Sequence, residues 1–424
     1  MNYPPITGVH LNLTHRCNLA CRYCYVSQEA LDMPFQVAKD SADFLARNSI
    51  ISGVNPSICF FGGEPLLRYD DIIVPLVAYI NKTHPNRNFK FTITTNGTLL
   101  TDDKIEFFKL HNFGILTSID GCAETQNYNR PFHNGEGSHA IVEKHIKTLL
   151  AAGFTPTFRA TVIPATCQFT YKNYLYAIEL GYKSFFAITN AFEDWDSEHQ
   201  EIFEQEMIKI ANHYIDYWKV NKKAPMRLSM LEKVIIVQLK NAKTATPQRA
   251  DSSAQAHCGL GQRAHAAISP AGDIYGCQEM TSNEGSESIF YIGNIYDGTD
   301  DKLRERLADL YNATPNRGYT DCNLCEANIF CNGGCVANNY LISGKLNVAP
   351  IGRCFYQKVL NRTALRIIEG LRDTPEFAQS FTKTVKRPTK NNASIKPPMN
   401  RCSVCNTCQV CDTCQNGDSK EDLQ

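Results

Sequence analysis

The chain has 424 residues, with 43 lysines and arginines against 43 aspartates and glutamates, so its formal net charge is zero. This length allows a large core and more than one domain, and the balanced charge does not indicate a nucleic acid partner. Residues 1–5 are neither basic nor apolar enough for a signal peptide and no stretch reaches transmembrane length, so we predict a cytoplasmic protein without a membrane partner.

The 18 cysteines are strongly grouped along the chain. Three lie near the start, seven lie between Cys258 and Cys354, and five lie in the last residues. Because the cytosol keeps thiols reduced, metal clusters are a more natural use for these groups than disulfides. Three cysteines stand alone, and we predict that they are small buried apolar residues: Cys59, Cys122 and Cys167.

The first cysteine group follows a strand-like run at residues 9–13. Cys17, Cys21 and Cys24 are separated by three and then two residues, a spacing that suits the ligation of one iron–sulfur cluster. A cubane cluster has four irons, so three cysteines leave one iron without a protein ligand. The alternatives are a disulfide or a zinc knuckle, but a structural zinc site needs a fourth ligand, and the only near candidate is His15, which precedes the loop.

Strand-like and helix-like segments alternate after this loop. We predict strands at 57–61, 89–94, 115–119, 157–163 and 184–188. We predict helices at 40–48, 71–81, 102–111, 139–152 and 171–180, the third of them with Thr101 as its N-cap. Repeated β-then-α units imply a parallel sheet, and in barrels of such units the chemistry lies at the carboxyl ends of the strands.

Four of these strands carry polar or glycine-rich residues at or near their carboxyl ends. Glycine lets the backbone approach a ligand closely, and arginine fits a carboxylate by bidentate hydrogen bonding. Each segment alone is an ordinary turn or strand feature, and only their order after the cysteine loop is specific. The segments are Gly62-Gly63-Glu64-Pro65, Thr94-Thr95-Asn96-Gly97, Ser118-Ile119-Asp120-Gly121 with Asn129-Arg130 in a polar loop beyond it, and Arg159 within the fifth strand.

The cysteine loop and these strands together resemble the radical S-adenosylmethionine (SAM) enzymes. The resemblance implies an α/β fold with a partial (β/α)6 TIM-like barrel, and a 4Fe–4S cluster held by Cys17, Cys21 and Cys24, whose fourth iron binds SAM. In that family, one electron from the cluster cleaves SAM to methionine and a 5′-deoxyadenosyl radical, which abstracts a hydrogen atom. The resemblance implies these SAM contacts: Tyr23 at the adenine, Gly62, Gly63 and Glu64 at the amino group, Asn96 near the ribose and methionine portion, and Ser118 and Arg159 at the carboxylate.

A second cysteine group follows two helical patterns, at 198–220 and 226–239, and a polar segment at 241–257 that we interpret as a linker or a lid. Residues 269–277 predict a hairpin with a turn at 270–273. The gaps through the middle four cysteines are two, five and three residues, and this order resembles the SPASM extension of radical SAM enzymes, a small α+β domain with auxiliary iron–sulfur clusters. A pair of zinc ribbons is the alternative. The resemblance assigns Cys322, Cys325, Cys331 and Cys354 to a distal auxiliary cluster and Cys258, Cys277 and Cys335 to a proximal one.

One position departs from the SPASM pattern. Some family members carry a further cysteine six residues after the first, where this chain has Ala264. The neighbouring His265 could replace that ligand, or the proximal cluster has an open iron. We hypothesise that an open iron would bind a cysteine thiolate of the substrate.

The end of the chain is a proline- and asparagine-rich spacer followed by a cysteine at every third residue, from Cys402 to Cys414. Three interpretations remain open: a further metal or cluster site, a substrate-like segment fused to the enzyme, or an appendage without a defined role. We predict these divisions of the chain: a radical SAM barrel at 1–240, a linker at 241–257, a SPASM domain at 258–360, a C-terminal helix at 361–389 and a flexible tail at 390–424.

The sequence therefore favours an enzyme that modifies a ribosomally made peptide by an oxidative crosslink, a thioether or a C–C bond. Its implied partners are a peptide or protein substrate and an external electron donor of the flavodoxin or ferredoxin type. The first alternative is an anaerobic sulfatase maturase that forms formylglycine, although such enzymes typically carry Asp after the hairpin cysteine, where this chain has Gln278 and Glu279. The second alternative is a non-catalytic iron–sulfur protein that senses redox state or binds a partner.

Overall fold

Six strands, each followed by helical structure, form the amino-terminal half of the computed structural model. The structure describes residues 3–242, 259–281, 285–312, 322, 324–331 and 333–383. The strands are β1 (Gly8–Asn12), β2 (Ser57–Phe61), β3 (Lys90–Thr95), β4 (Gly114–Thr117), β5 (Phe158–Val162) and β6 (Ser184–Thr189). The helices between them are α1 (Phe35–Ser52), α2 (Val74–Thr83), α3 (Asp102–Leu110), α4 (Ala123–Asn129), α5 (His139–Ala151) and α6 (Thr170–Glu179).

The strands run parallel, as expected when a helix returns the chain to the same edge of the sheet. β1 to β4 pair in sequence order, and β5 pairs with β6. A single parallel bridge between Ser118 and Arg159 joins these two groups at the end of β4. The predicted α/β class with a parallel sheet is confirmed.

The second part of the chain extends the sheet on the other side of β1. β8 (His265–Ile268) lies parallel to β1, and three antiparallel strands follow: β9 (Asp273–Tyr275), β10 (Tyr291–Asn294) and β11 (Gly298–Thr299). The β8–β9 hairpin has its turn where the sequence predicts one, and Gly272 in that turn has a φ of 90°, which favours glycine.

The remaining helices and one further short strand follow β6 in the chain. A short strand, β7 (Arg227–Leu228), pairs with β6, and the remaining helices are α7 (Ser197–Asn221), α8 (Ser229–Asn241), α9 (Asp301–Asn312), α10 (Val336–Ser343), α11 (Ile351–Gly370) and α12 (Pro375–Lys383). α11 packs against both α7 and α8. The hydroxyl of Tyr356 on α11 donates to the carbonyl of Ala187 on β6 at 2.7 Å, so the cysteine-rich part is fixed directly to the barrel.

Alternate residues of β1 face different environments. Val9 and Leu11 are fully buried among the apolar side chains between sheet and helices, whereas His10, between them, is half-buried and faces the other side. Packing of this apolar layer fixes the register of the strand, and with it the place where the cysteine loop begins.

The helices and strands predicted over residues 35–221 lie within a few residues of the observed ones. Thr101 occupies the N-cap position of α3, but its hydroxyl accepts no hydrogen bond from the helix backbone. No helix was predicted where α4 lies, and the segment predicted as one helix at 361–389 contains the end of α11 and all of α12.

Chain contacts divide the protein into two units, Met1–Thr382 and Lys383–Gln424. The predicted tail with Cys402 to Cys414, most of the predicted linker, and Cys258 lie outside the described residues. The predicted domain boundaries remain predictions. Within the described part of the chain, no helix is both long and apolar enough to span a membrane.

Candidate active site

The carboxyl ends of the barrel strands open onto a cavity of about 380 Å³, which we call the catalytic cavity. Its wall includes Cys17, Cys21 and Cys24 from the loop after β1. The structure also brings these predicted cofactor-binding residues to the same wall: Tyr23, Gly62, Gly63, Asn96, Ser118 and Arg159. Residues that are distant in sequence therefore meet at one place, as the order of the motifs predicts.

Polar groups from two other segments contact the cysteine loop. The Sγ of Cys17 accepts hydrogen bonds from the backbone N–H of Leu19 at 3.4 Å and from Nδ2 of Asn96 at 3.7 Å. The Sγ of Cys21 accepts from Nη1 of Arg130 at 3.9 Å. Donors directed at sulfur stabilise the thiolate form that ligates iron.

The cysteine thiols are half-buried, apart from the exposed Cys24. Burial raises the pKa of Cys17 to about 12 and that of Cys21 to about 11. Both are therefore protonated in the metal-free protein, and binding of iron must displace those protons. No three His, Cys, Asp or Glu side chains in the described residues converge as ligands of a single metal ion do. A cluster does not need this convergence, because each thiolate binds a different iron.

The two glycines after β2 allow the chain to pass directly against the cysteine loop. A Cβ on Gly63 would lie 2.3 Å from the carbonyl oxygen of Arg16, and a Cβ on Gly62 would lie 2.3 Å from that of Thr14. Gly62 also has a φ of 134°, a conformation that other residues rarely adopt. Both positions therefore require glycine for packing, whatever ligand the cavity holds.

Glu64 is fully buried and directs its carboxylate at the start of the loop after β3. Its Oε1 accepts from the Thr95 hydroxyl at 2.8 Å and from the backbone N–H of Leu66 at 3.0 Å, and its Oε2 accepts from the backbone N–H of Asn96 at 2.7 Å. Glu64 is not among the residues that line the catalytic cavity. In this structure its side chain ties the end of β2 to the end of β3, and its contact with SAM remains a prediction.

The burial of Glu64 predicts a pH dependence of stability. Burial raises the pKa of this carboxyl to about 7 from an ordinary value of 4.5, although three hydrogen bonds act in the opposite direction. Between these pH values the unfolded chain has released a proton that the folded chain keeps, so stability falls as the pH rises from 4.5 to 7. Over the whole interval, this one group lowers the free energy of unfolding by about 3 kcal/mol.

The variant E64Q has no titrating group at this position, so its stability should depend less on pH. The measurement is urea unfolding of the cluster-loaded protein under anaerobic conditions at several pH values between 5.5 and 8. Fluorescence of the two buried tryptophans, Trp195 and Trp218, reports the transition. Parallel pH profiles for the wild-type protein and E64Q would contradict the raised pKa.

Asn96 connects the cysteine loop to the end of β3. Its Nδ2 donates to Oδ1 of Asn18 at 2.8 Å, and its Oδ1 accepts from the hydroxyl of Thr98 at 2.6 Å. Asn18 in turn donates to that hydroxyl at 2.7 Å. This closed ring of three side chains fixes the loop next to Cys17. The sequence analysis did not identify Asn18 and Thr98, which only the fold brings together.

A buried polar network lies under the second half of the cysteine loop. The carboxylate of Asp120 accepts hydrogen bonds from the hydroxyl of Tyr23, from Nδ2 of Asn129 at 3.0 Å and from the backbone N–H of Thr161 at 2.9 Å. It also pairs with Nε of Arg130 at 3.1 Å. Tyr23, between two of the cysteines, is thereby held by the ends of β4 and β5.

Ser118 and Arg159 are neighbours through their parallel backbone bridge, and both line the catalytic cavity. The guanidinium of Arg159 lies 4.7 Å from the ring centre of Phe186. It forms no direct ion pair within the described residues, although the carboxylate of Glu279 also lines this cavity and interacts with its charge. This placement is compatible with the predicted binding of a SAM carboxylate, which remains a prediction.

The cysteine-rich part of the chain also contributes to the lining of the catalytic cavity. Its residues there include Gln278, Glu279, Asn338 and Arg353. The sequence analysis did not assign these residues a role, although each lies within three residues of a predicted cluster ligand: Cys277, Cys335 or Cys354. That proximity in sequence was the available signal, because residues beside a cluster ligand also lie beside the cluster.

Four of the predicted auxiliary-cluster ligands lie near one another. Burial, together with the smaller effect of the neighbouring thiols of Cys331, Cys322 and Cys325, raises the pKa of Cys354 to about 11. This is the set that the sequence assigns to the distal cluster. Cluster binding by these four cysteines remains a prediction.

Two further cysteines lie beside the catalytic cavity. The Sγ of Cys335 is 3.7 Å from the carboxylate of Glu279, and Cys277 immediately precedes the short helical turn that carries Glu279. His265, the suggested substitute ligand beside Ala264, has its Nε2 2.9 Å from Nδ1 of His10 on β1. Since Cys258 lies outside the described residues, the proximal ligand set is not tested.

The solitary cysteines are placed mostly as predicted. Cys167 is fully buried and Cys122 is 7% exposed, whereas Cys59 is half-buried.

Comparison with known proteins identifies the amino-terminal half of the chain. Residues 11–167 match the family model of the Radical SAM superfamily. A serine-type anaerobic sulfatase-maturating enzyme of Bacteroides thetaiotaomicron is 25% identical over 400 residues, which cover 84% of this chain and 93% of that enzyme. An uncharacterised protein of Methanocaldococcus jannaschii is 38% identical over 131 residues, 30% of this chain and 43% of that protein, so this chain spans less than half of that relative.

Solved structures share the fold. The anSMEcpe structure with bound AdoMet has a TM-score of 0.69 at 18% identity, and the match covers 90% of this chain and 99% of that one. Streptococcus suis SuiB bound to precursor peptide SuiA has a TM-score of 0.52 at 16% identity, and the match covers 82% of this chain and 76% of that one. These likenesses confirm the predicted fold class. The family match alone shows that residues 11–167 form a Radical SAM superfamily domain.

Proposed function

We propose that this protein is a radical SAM peptide maturase, which removes a hydrogen atom from a ribosomally synthesised peptide and forms an oxidative crosslink, a thioether or a C–C bond. One observation carries the proposal. The catalytic cavity is lined both by the three cysteines of the radical SAM loop and by residues that flank the predicted auxiliary-cluster ligands. A substrate in this cavity would lie between the two cofactor regions.

The residues of the cavity fit a cluster with bound SAM. Cys17, Cys21 and Cys24 offer three thiols and leave room beside them, and both Ser118 and Arg159 present polar groups to the same space. When bound, the cluster and SAM supply a 5′-deoxyadenosyl radical that abstracts the hydrogen atom. We further propose two auxiliary clusters on the cysteines assigned above, and a cytoplasmic electron donor of the flavodoxin or ferredoxin type.

The protein's own residues orient the reaction. The network around Asp120 fixes Tyr23 and the second half of the loop, and Asn96 fixes the first half. Formation of the crosslink removes two electrons and two protons from the substrate. The abstracted hydrogen atom accounts for one electron and one proton, so a second electron and a second proton must also leave. The thiol of Cys335, next to the cavity residue Glu279, places a predicted auxiliary ligand where such an electron would depart.

The related proteins support a peptide substrate. SuiB has been solved with precursor peptide SuiA, and anSMEcpe with a Cp18Cys peptide. The sulfatase-maturating relative matches over nearly its whole length, which favours formylglycine formation as the second candidate. A non-catalytic iron–sulfur protein is the third, and it differs from the other two in leaving SAM intact.

Anaerobic incubation of the reconstituted protein with SAM and dithionite tests these candidates. The peptide encoded by a neighbouring small reading frame, or a sulfatase peptide, serves as the substrate. We expect 5′-deoxyadenosine release, and a loss of two mass units from the first peptide by mass spectrometry. Conversion of a cysteine or serine in the sulfatase peptide to formylglycine would support the second candidate, and intact SAM in every incubation would overturn enzymatic function.

A further inference from the structure

One buried arginine forms no direct ion pair within the described residues. Arg353, near the start of α11, is 7% exposed and forms no ion pair within the described residues. Its Nη2 donates to Oδ1 of Asn338 at 3.2 Å, but its buried Nε has no hydrogen-bond partner within the same residues. A buried charge without an opposite charge destabilises a fold, so this arrangement indicates a residue kept for what it binds.

Neighbouring side chains hold the guanidinium in place. It lies 5.6 Å from the ring centre of Tyr356, and a Cβ on Gly334 would lie 3.0 Å from the Cγ of Arg353. Asn338 also donates to the carboxylate of Glu279 at 2.9 Å, so the amide separates these two charged groups while it contacts both. The orientation of Arg353 is therefore fixed before any ligand binds.

Arg353 lies between two cavities. It lines the catalytic cavity and also a second cavity of about 320 Å³ between β6, α8 and α11. Ile188 likewise borders both. Besides Arg353, Lys233 brings a positive charge to the second cavity, and none of the described residues that line it is acidic. An extended, partly apolar segment with a negative charge would match this space.

The charges around the catalytic cavity do not balance. Arg130 is paired with Asp120. SAM has a single carboxylate, which the proposed function assigns to Ser118 and Arg159. The one acidic side chain among the described residues that line this cavity is Glu279, and its carboxylate faces two arginines, Arg353 and Arg159. Arg353 therefore forms no direct ion pair, and the two arginines have more positive charge than Glu279 alone balances. The remaining component of the reaction is the substrate.

We propose that Arg353 binds a carboxylate side chain of the peptide substrate, so that the peptide carries Asp or Glu close to its reacting residue. The proposal rests on the proposed peptide-modifying function. Arginine suits this role because its planar fork donates two parallel hydrogen bonds to one carboxylate. The rival partner is the negative charge of an auxiliary cluster, since Cys331 and Cys335 line the second cavity.

Two capped pentapeptides test the proposal: Ala-Ala-Cys-Asp-Ala and its counterpart with Asn in place of Asp. Their binding to the cluster-loaded protein with SAM is measured by anaerobic isothermal titration calorimetry. We expect the Asp peptide to bind about tenfold more tightly than the Asn peptide, since a charge-assisted hydrogen bond is lost with the amide. R353Q should remove this difference, and R353K should keep part of it. The control R362Q removes an exposed arginine of α11, which pairs with Glu204 and Glu326, and should retain the full preference.

Equal binding of the two peptides to the wild-type protein, or binding of neither at millimolar concentration, would overturn the proposal. An unchanged preference in R353Q would also overturn the proposal. If the midpoint potential of an auxiliary cluster shifted in that variant as well, Arg353 would be assigned to that cluster. Failure of the proposed function would show separately, as absence of 5′-deoxyadenosine in every incubation, because the binding preference does not depend on SAM cleavage.

Discussion

Replacement of Cys17, Cys21 and Cys24 together by alanine is expected to abolish 5′-deoxyadenosine formation completely. The three side chains are the thiols that the loop after β1 presents to the catalytic cavity. Without them the protein loses every predicted ligand of the SAM-binding cluster, and reconstituted protein should hold about four irons fewer per chain. The measurements are iron content, and 5′-deoxyadenosine after anaerobic incubation with SAM and dithionite.

The control variant is C59A, which removes a half-buried thiol that does not line the cavity. It should keep both the iron content and SAM cleavage of the wild-type protein. If the triple variant kept SAM cleavage, or lost one zinc per chain in place of the irons, the radical SAM assignment of this loop would be contradicted. If C59A lost as much iron as the triple variant, the loss of iron would be explained by a folding defect and not by the removal of cluster ligands.

Local patterns were sufficient to predict the alternating strands and helices of the parallel sheet, whereas the barrel was implied by the family resemblance. β2 occupies the very residues expected, because the apolar run 57–61 has a glycine-rich turn directly after it. The linear order of motifs also predicted which strand ends meet, since parallel strands all present their carboxyl ends to the same side. The short helix α4 was not predicted because its sequence, Ala123–Asn129, is polar with little apolar periodicity.

The direction of a side chain was much harder to predict. Glu64 occurs in the expected motif, yet its carboxylate bonds to the Thr95 hydroxyl and to the backbone at the end of β3. The sequence shows an acid after two glycines, but the close packing of those glycines on the cysteine loop decides where the acid turns. The same limit applies to Arg353, whose lack of a direct ion pair depends on distant residues that meet only in the fold.

Asp120 is expected to contribute more to stability than any exposed acidic residue of the chain. Its side chain is fully buried, and all four groups around the carboxylate are donors: the Tyr23 hydroxyl, the Asn129 amide, the Arg130 guanidinium and the Thr161 backbone N–H. D120N would place an amide N–H₂ among these donors and leave Arg130 as an uncompensated buried charge. Loss of one partner of a buried ion pair costs about 3–5 kcal/mol.

Urea unfolding of the cluster-loaded protein, followed by the fluorescence of the buried tryptophans, measures this loss. SAM cleavage should fall as well, because Tyr23 loses the carboxylate that holds it and Arg130 is no longer fixed beside Cys21. The matched control is E124Q, which breaks an exposed pair with Lys172. Since exposed ion pairs contribute little, it should change the free energy of unfolding by less than about 1 kcal/mol.

A double-mutant cycle separates the charge from the hydrogen bonds. In an R130M background, D120N no longer exposes a buried cation to an apolar environment, so its cost should be clearly smaller than in the wild-type background. An equal cost in both backgrounds would mean that Asp120 acts through Tyr23, Asn129 and the backbone of Thr161 alone. In that case the ion pair beside Cys21 would not be what holds the cysteine loop on the barrel.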